Sequence, residues 1–218
     1  MTGTRLSLLA QAALCFEQAG QLPDAARCRE KAGELVAAAE LFRTAGDLPG
    51  AARCFQRAGR TADAVSCLLA LGRPVDAAEL WEQAGSWLEA AWVLIVDARR
   101  PRQAGRLLSK ASPAGLGEQY RLRLALALCA TAADQRIELI TTVVDELDEQ
   151  LVEIRPASER ARLVRWVVQA ADQLGRPDLA ARVFAAAHRG RMSGIAGIWR
   201  EWARVALGGT AGIPERDL

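Results

Sequence analysis

A chain of 218 residues with 28 basic and 26 acidic side chains has a net charge of only +2. The two signs are interspersed, so charge marks neither a nucleic-acid binder nor an anionic-membrane binder. Just over half the residues are hydrophobic, 51%, enough for a sizeable core, and alanine supplies much of that share. The longest apolar run, residues 90–96, is far short of the ~20 residues that span a bilayer.

Residues 1–15, MTGTRLSLLAQAALC, faintly resemble a secretion signal. However, Gln11 interrupts the apolar stretch, and Leu14 precedes Cys15 where a lipoprotein signal has a small residue. The expectation is a cytoplasmic protein. Arginine far outnumbers lysine, which occurs only at Lys31 and Lys110; with the Ala and Gly content, this fits a GC-rich bacterial genome.

From the N-terminus the chain repeats every 13 residues. Gly20, Gly33, Gly46, Gly59, Gly72 and Gly85 recur at that interval, a leading copy starts at Ser7, and a decayed one starts at Ala98. Fixed short-period self-similarity means stacked supersecondary units. Counting from each Gly, positions 6 and 7 are small, as in Ala25-Ala26, Ala51-Ala52 and Ala77-Ala78. Position 9 is Cys, Leu or Val, and position 10 is often Phe16, Phe42, Phe55, Leu68 or Trp81. Positions 6, 9 or 10, and 13 share one face of a helix.

Each Gly suits the left-handed residue that closes a helix. Pro23, Pro49, Pro74 and Pro101 fall where a helix can start without an N–H. Asp24, Asp63, Asp76 and Glu89 complement the first-turn dipole. The register predicts helices over 8–19, 23–32, 36–45, 49–58, 62–71, 75–84 and 88–97. Helices this short are unstable alone, so two units form a hairpin and hairpins stack into a solenoid.

Ala51-x3-Phe55-x2-Ala58 after Gly46, Ala38-x3-Phe42-x2-Ala45 after Gly33, and Ala77-x3-Trp81-x2-Ala84 after Gly72 resemble the second helix of a tetratricopeptide repeat. The unit is shorter than that family's, 26 residues per hairpin rather than 34, and is similar to the short helical repeats of vesicle-coat and intraflagellar-transport subunits. The resemblance covers residues 7–110. It implies an all-α, right-handed superhelix of tetratricopeptide-like type.

At Ser112-Pro113-Ala114-Gly115 the register stops, which sets expected domains of 1–112 and 113–218. A helix is expected over 119–133, despite strand-like alternation in 120–128. A long amphipathic helix follows through Ile137, Ile140, Val144, Leu147, Leu151 and Ile154. Pro156 opens another, closed by Gly175. Ala180-x3-Phe184-x2-Ala187 then restores the motif, so 156–190 resembles a full-length tetratricopeptide hairpin. A capping helix with Ile198, Trp199, Trp202 and Val205 is expected over 194–207, and a loose tail after it.

Cys15, Cys28, Cys54 and Cys67 all hold position 9, where Leu41, Leu80 and Val93 stand elsewhere. That interchange marks a small core hydrophobe rather than a metal ligand. His188, the only histidine, sits at a helix end with no nucleophile or paired carboxylate at motif spacing. Asp145, Glu146, Asp148 and Glu149 read as a solvated helix face, or else as a docking site for a basic partner. Arg99, Arg100 and Arg102 read as a solvated turn. No catalytic residue, cofactor site or metal site emerges.

The expected function is a non-enzymatic scaffold or adaptor for protein partners, without nucleic-acid or membrane binding. The alternative is a regulatory or sensing subunit of a larger bacterial defence or secretion complex; an enzyme with a site between the halves is a distant third. Two surfaces are candidates for the partner. One is the basic strip Arg27, Arg53 and Arg57. The other is the helix bearing Trp87 and Trp92, apolar on nearly every side, which is either covered by the rest of the chain or open as a groove.

Overall fold

The computed structural model describes residues 2–134 and 137–206, with side-chain surroundings for 8–130 and 138–206. Among the described residues the secondary structure is entirely helical. The first helices are α1 (Thr2–Gln18), α2 (Leu22–Ala32), α3 (Leu35–Thr44), α4 (Leu48–Arg57), α5 (Thr61–Ala70), α6 (Pro74–Gln83) and α7 (Trp87–Val96). Then come α8 (Pro101–Leu108), α9 (Leu116–Asp134), α10 (Ile137–Gln150), α11 (Ala157–Leu174), α12 (Pro177–Arg189) and α13 (Ile195–Ala206). Helices α2 to α7 begin one residue ahead of their predicted starts. Residues 208–218, expected to be loose, lie outside the described residues.

The 13-residue period has a mechanical origin at each turn. Gly46, at φ +80°, closes α3: its N–H reaches the Arg43 carbonyl at 3.1 Å, and the Asp47 N–H reaches the Phe42 carbonyl at 2.8 Å. These two bonds form the glycine C-cap that satisfies orphan carbonyls. The Asp47 carbonyl in turn accepts the Ala51 N–H at 3.0 Å and starts α4. One residue therefore ends one helix and begins the next. The same pair of bonds recurs at Gln21, Glu34, Arg60, Arg73 and Ser86.

The chain divides into two compact units, 1–93 and 94–218. The division falls inside α7, ahead of the segment where the sequence register stops. In the first unit successive helices from α1 to α6 pack on one another. Position 6 is the centre of that packing: Ala25, Ala38, Ala51, Ala64, Ala77 and Ala90 are fully buried. Alanine there lets short helices approach closely enough to bury what little apolar face they have.

Position 9 corrects one expectation. Cys54 and Cys67 are buried, but Cys28 is only half-buried and Cys15 is exposed. Cys54 on α4 lies within electrostatic reach of Glu30 on α2. Cys67 on α5 stands likewise to Glu40 and Arg43 on α3. Position 9 thus faces the helix two units earlier, and α1 and α2 have no such helix before them among the described residues.

In the second unit α8 packs on α9, and α9 also packs on α10 and α11. Helix α12 meets α10 and α11, and α13 closes over α11 and α12. The decayed repeat copy starts one residue later than expected. Arg99, not Ala98, holds the left-handed turn position at φ +57°, and Ala104-Gly105 form the small pair, with Ala104 buried. The long helix expected to reach Ile154 ends at Gln150 and gives way to a 3-10 turn, Leu151–Glu153.

Strand-like alternation in 120–128 does not survive folding. Helix α9 buries Tyr120, Arg121, Leu124, Ala125 and Leu128, which brings a guanidinium into the core. Arg121 Nε donates to Glu159 Oε1 of α11 at 2.5 Å, and the guanidinium lies 4.8 Å from the centre of the Trp166 ring. Gly117 makes room for this pair: a side-chain carbon there would run into the Glu159 and Ile154 side chains.

The acidic cluster on α10 is also paired within the unit. Arg123 of α9 grips Glu146 with two hydrogen bonds, at 2.6 and 2.8 Å. Arg182 and Arg189 of α12 reach Asp145 and Asp148. The sequence suggested a solvated face or a docking site for a basic partner. All four carboxylates are exposed, in keeping with a solvated face, and three of them pair with arginines of neighbouring helices.

Candidate functional site

Position 6 faces inward on α2 to α7, and on α2 to α6 positions 8, 11 and 12 are left to form the outer surface. On α2, α4 and α6 these positions are Arg27, Glu30 and Lys31, then Arg53, Gln56 and Arg57, then Glu79, Glu82 and Gln83. The basic strip predicted there exists in outline only. Arg27 is exposed and bonded to Asp24 at 2.9 Å. Arg57 and Arg53 converge on Glu30, at 2.5 and 3.4 Å. Glu30 is the more sheltered member, its side chain 19% exposed, and its proximity raises the pKa of Arg53 further. These arginines therefore bridge α2 to α4 before they can serve a partner.

Between α4 and α6 the same surface opens into a cleft of about 290 Å³. Leu68 of α5, Leu71 just past its end and Leu80 of α6 line it, with Pro49 and Ala52 on the α4 side. Its polar groups are Arg53, Gln56, Arg73, Asp76, Glu79 and Gln83. Arg73 is tied to Asp76 at 2.6 Å. Glu79 is exposed and has no cation partner among the described residues. The cleft offers a narrow apolar floor, two amides and one uncommitted carboxylate.

No family model matches this chain, and no curated protein or solved structure matches it either. Its reading therefore rests on its own geometry.

Trp92, Val93, Leu94 and Ile95 are buried, and Trp87 is half-buried. Within the second unit, the Gln173 amide of α11 donates to the Ile95 carbonyl at 3.5 Å. His188 is exposed in the last turn of α12. Among the described residues no three His, Cys, Asp or Glu side chains are grouped to hold a metal ion, and no helix is long and apolar enough to cross a membrane.

Sequence reasoning missed the cleft. Its floor comes from Leu68 and Leu71, two apolar residues three apart in the sequence. The signal was available in the parity of the repeat: position 8 of α4 and of α6 must flank whatever α5 presents between them.

Proposed function

We propose that the chain is a non-catalytic protein-interaction module of tetratricopeptide-like type. The observation that carries this reading is the contrast between the two sides of the repeat. Position 6 is an invariantly buried alanine from α2 to α7, whereas the outward positions 8, 11 and 12 of α2 to α6 change from unit to unit in charge and size. A uniform interior with a variable, charged exterior and a cleft between alternate helices suits holding other polypeptides. The Ala-x3-Phe-x2-Ala signature in α3 and α4, and again in α12, supports the finer family assignment.

Affinity capture with quantitative mass spectrometry tests it. The intact chain should enrich a small set of proteins that a cleft variant, Gln56→Glu with Glu79→Arg, does not, at unchanged melting temperature. Enrichment of nothing, or turnover of a substrate by the purified chain, would refute the reading.

A further inference from the structure

Most arginines of the array meet a carboxylate of the chain, but four in one segment meet none among the described residues. Residues 98–117 contain no Asp or Glu, yet they carry Arg99, Arg100, Arg102, Arg106 and Lys110. Ala104, Leu107 and Leu108 of α8 are buried, and the helix packs on α9, so the cationic side faces out and all five of these residues are exposed. Arg99, Arg102 and Arg106 have no carboxylate bonded to them among the described residues. Arg100 reaches only the Gln103 amide oxygen, at 3.5 Å. Asp97 is close enough to feel Arg99 but forms no ion pair with it.

An exposed apolar side chain stands on α9, the helix that packs on α8. The Cys129 thiol of α9 donates to the Pro101 carbonyl at 3.5 Å, which sets that part of α9 beside the start of α8. Leu126, three residues before Cys129 and on the same helix stripe, is 47% exposed. We propose that Arg99, Arg100, Arg102 and Arg106, with Leu126 beside them, dock an acidic amphipathic segment of a partner protein. The inference rests on the interaction-module reading.

The chain itself shows how such arginines are used. Arg53 and Arg57, four residues apart on α4, clasp a glutamate of another helix. Arg182 and Arg189 of α12 do the same with two aspartates of α10. Arg102 and Arg106 repeat the four-residue spacing, and among the described residues no carboxylate meets them. Guanidinium groups are weakly hydrated and match carboxylates in a planar fork, and Leu126 supplies the apolar anchor that a charged rim needs. Nucleic acid is a poorer fit: the chain's pI is about 8.4, below the level of about 9 typical of such domains. A lipid surface is also a poorer fit, because the apolar side of α8 is already buried and cannot insert.

The test uses a fluorescein-labelled helical peptide rich in Glu and Leu, its Gln-for-Glu counterpart, a random DNA duplex and phosphatidylserine vesicles, each titrated against the full chain. The Glu peptide should bind saturably, more weakly as salt rises, and the Gln peptide should not. Arg102→Glu with Arg106→Glu should weaken binding about tenfold or more, Leu126→Ala a few-fold, and Arg27→Glu not at all. The milder pair Arg102→Gln with Arg106→Gln should give an intermediate loss, and keeps the test valid if charge reversal disturbs the fold. The proposal falls if no saturable binding appears below about 1 mM, if the reversed variant binds equally, or if DNA or vesicles bind more tightly than the peptide. If cleft-dependent capture persists while α8 variants change nothing, this docking site is wrong and the module reading stands.

Discussion

Replacing Glu159 with Leu removes the nearest negative charge from a buried guanidinium. Arg121 is 1% exposed, bonded to Glu159 at 2.5 Å and stacked on Trp166, with Glu118 more distant at 3.8 Å. Breaking a buried pair from one side costs about 3–5 kcal/mol. Glu118 and Trp166 remain, so the low end applies, about 3 kcal/mol. In a chain of this size that lowers the melting temperature by about 6–12 °C. Arg121→Met should cost less, because Glu159 keeps Arg162 at 3.6 Å and retains some solvent. The double replacement should recover most of the loss, because two apolar side chains in that space need no partner. Urea unfolding followed by circular dichroism, on both single variants and the double, measures the cycle. A Glu159→Leu chain within about 0.5 kcal/mol of the parent would refute the argument, as would a double variant no more stable than the worse single.

Ala51→Leu should destabilise the first unit by about 1–3 kcal/mol in the same urea assay, since a fully buried alanine between close helices leaves no room for the added carbons. Thiol labelling read by mass spectrometry should modify Cys15 first and Cys28 next. Cys54 and Cys67, whose pKa values burial raises, should react only on unfolding. Asp97 has its carboxyl pKa raised by desolvation, with Arg99 pulling the other way. Such a group favours folding while protonated, and that stability is lost as pH rises from its unfolded value of about 3.9 through the folded one. Asp97→Asn should therefore melt above the parent at pH 7, with the gap closing below about pH 4.

The helices were legible because two independent signals, the glycine interval and the small pair at positions 6 and 7, coincide in every unit. Less legible was anything that depends on which helix stands opposite. Cys15 and Cys54 occupy the same position and look alike in the sequence, but only Cys54 has a helix two units earlier to cover it. The pairing of the arginines is hidden for the same reason: Arg53 and Arg57 form a basic strip in the sequence, and only the fold brings Glu30, more than twenty residues away, between them. Arg121 could not be assigned inward by pattern, because its burial depends on Glu159 and Trp166 arriving from α11. The cleft belongs to three helices at once and has no local sequence signature.

The residue that ends one helix and begins the next, Asp47 and its counterparts, makes the 13-residue unit an interchangeable segment. Gain or loss of two units in the genome would return every downstream helix to the side it occupied before and lengthen or shorten the array without rewriting its outer pattern. Gain or loss of one unit would instead swap the two sides for everything downstream, and separate Arg53 and Arg57 from the side on which Glu30 waits. Recombination within such an array can therefore do two different things with one kind of event: an even change alters length, and an odd change exchanges one outer face for the other.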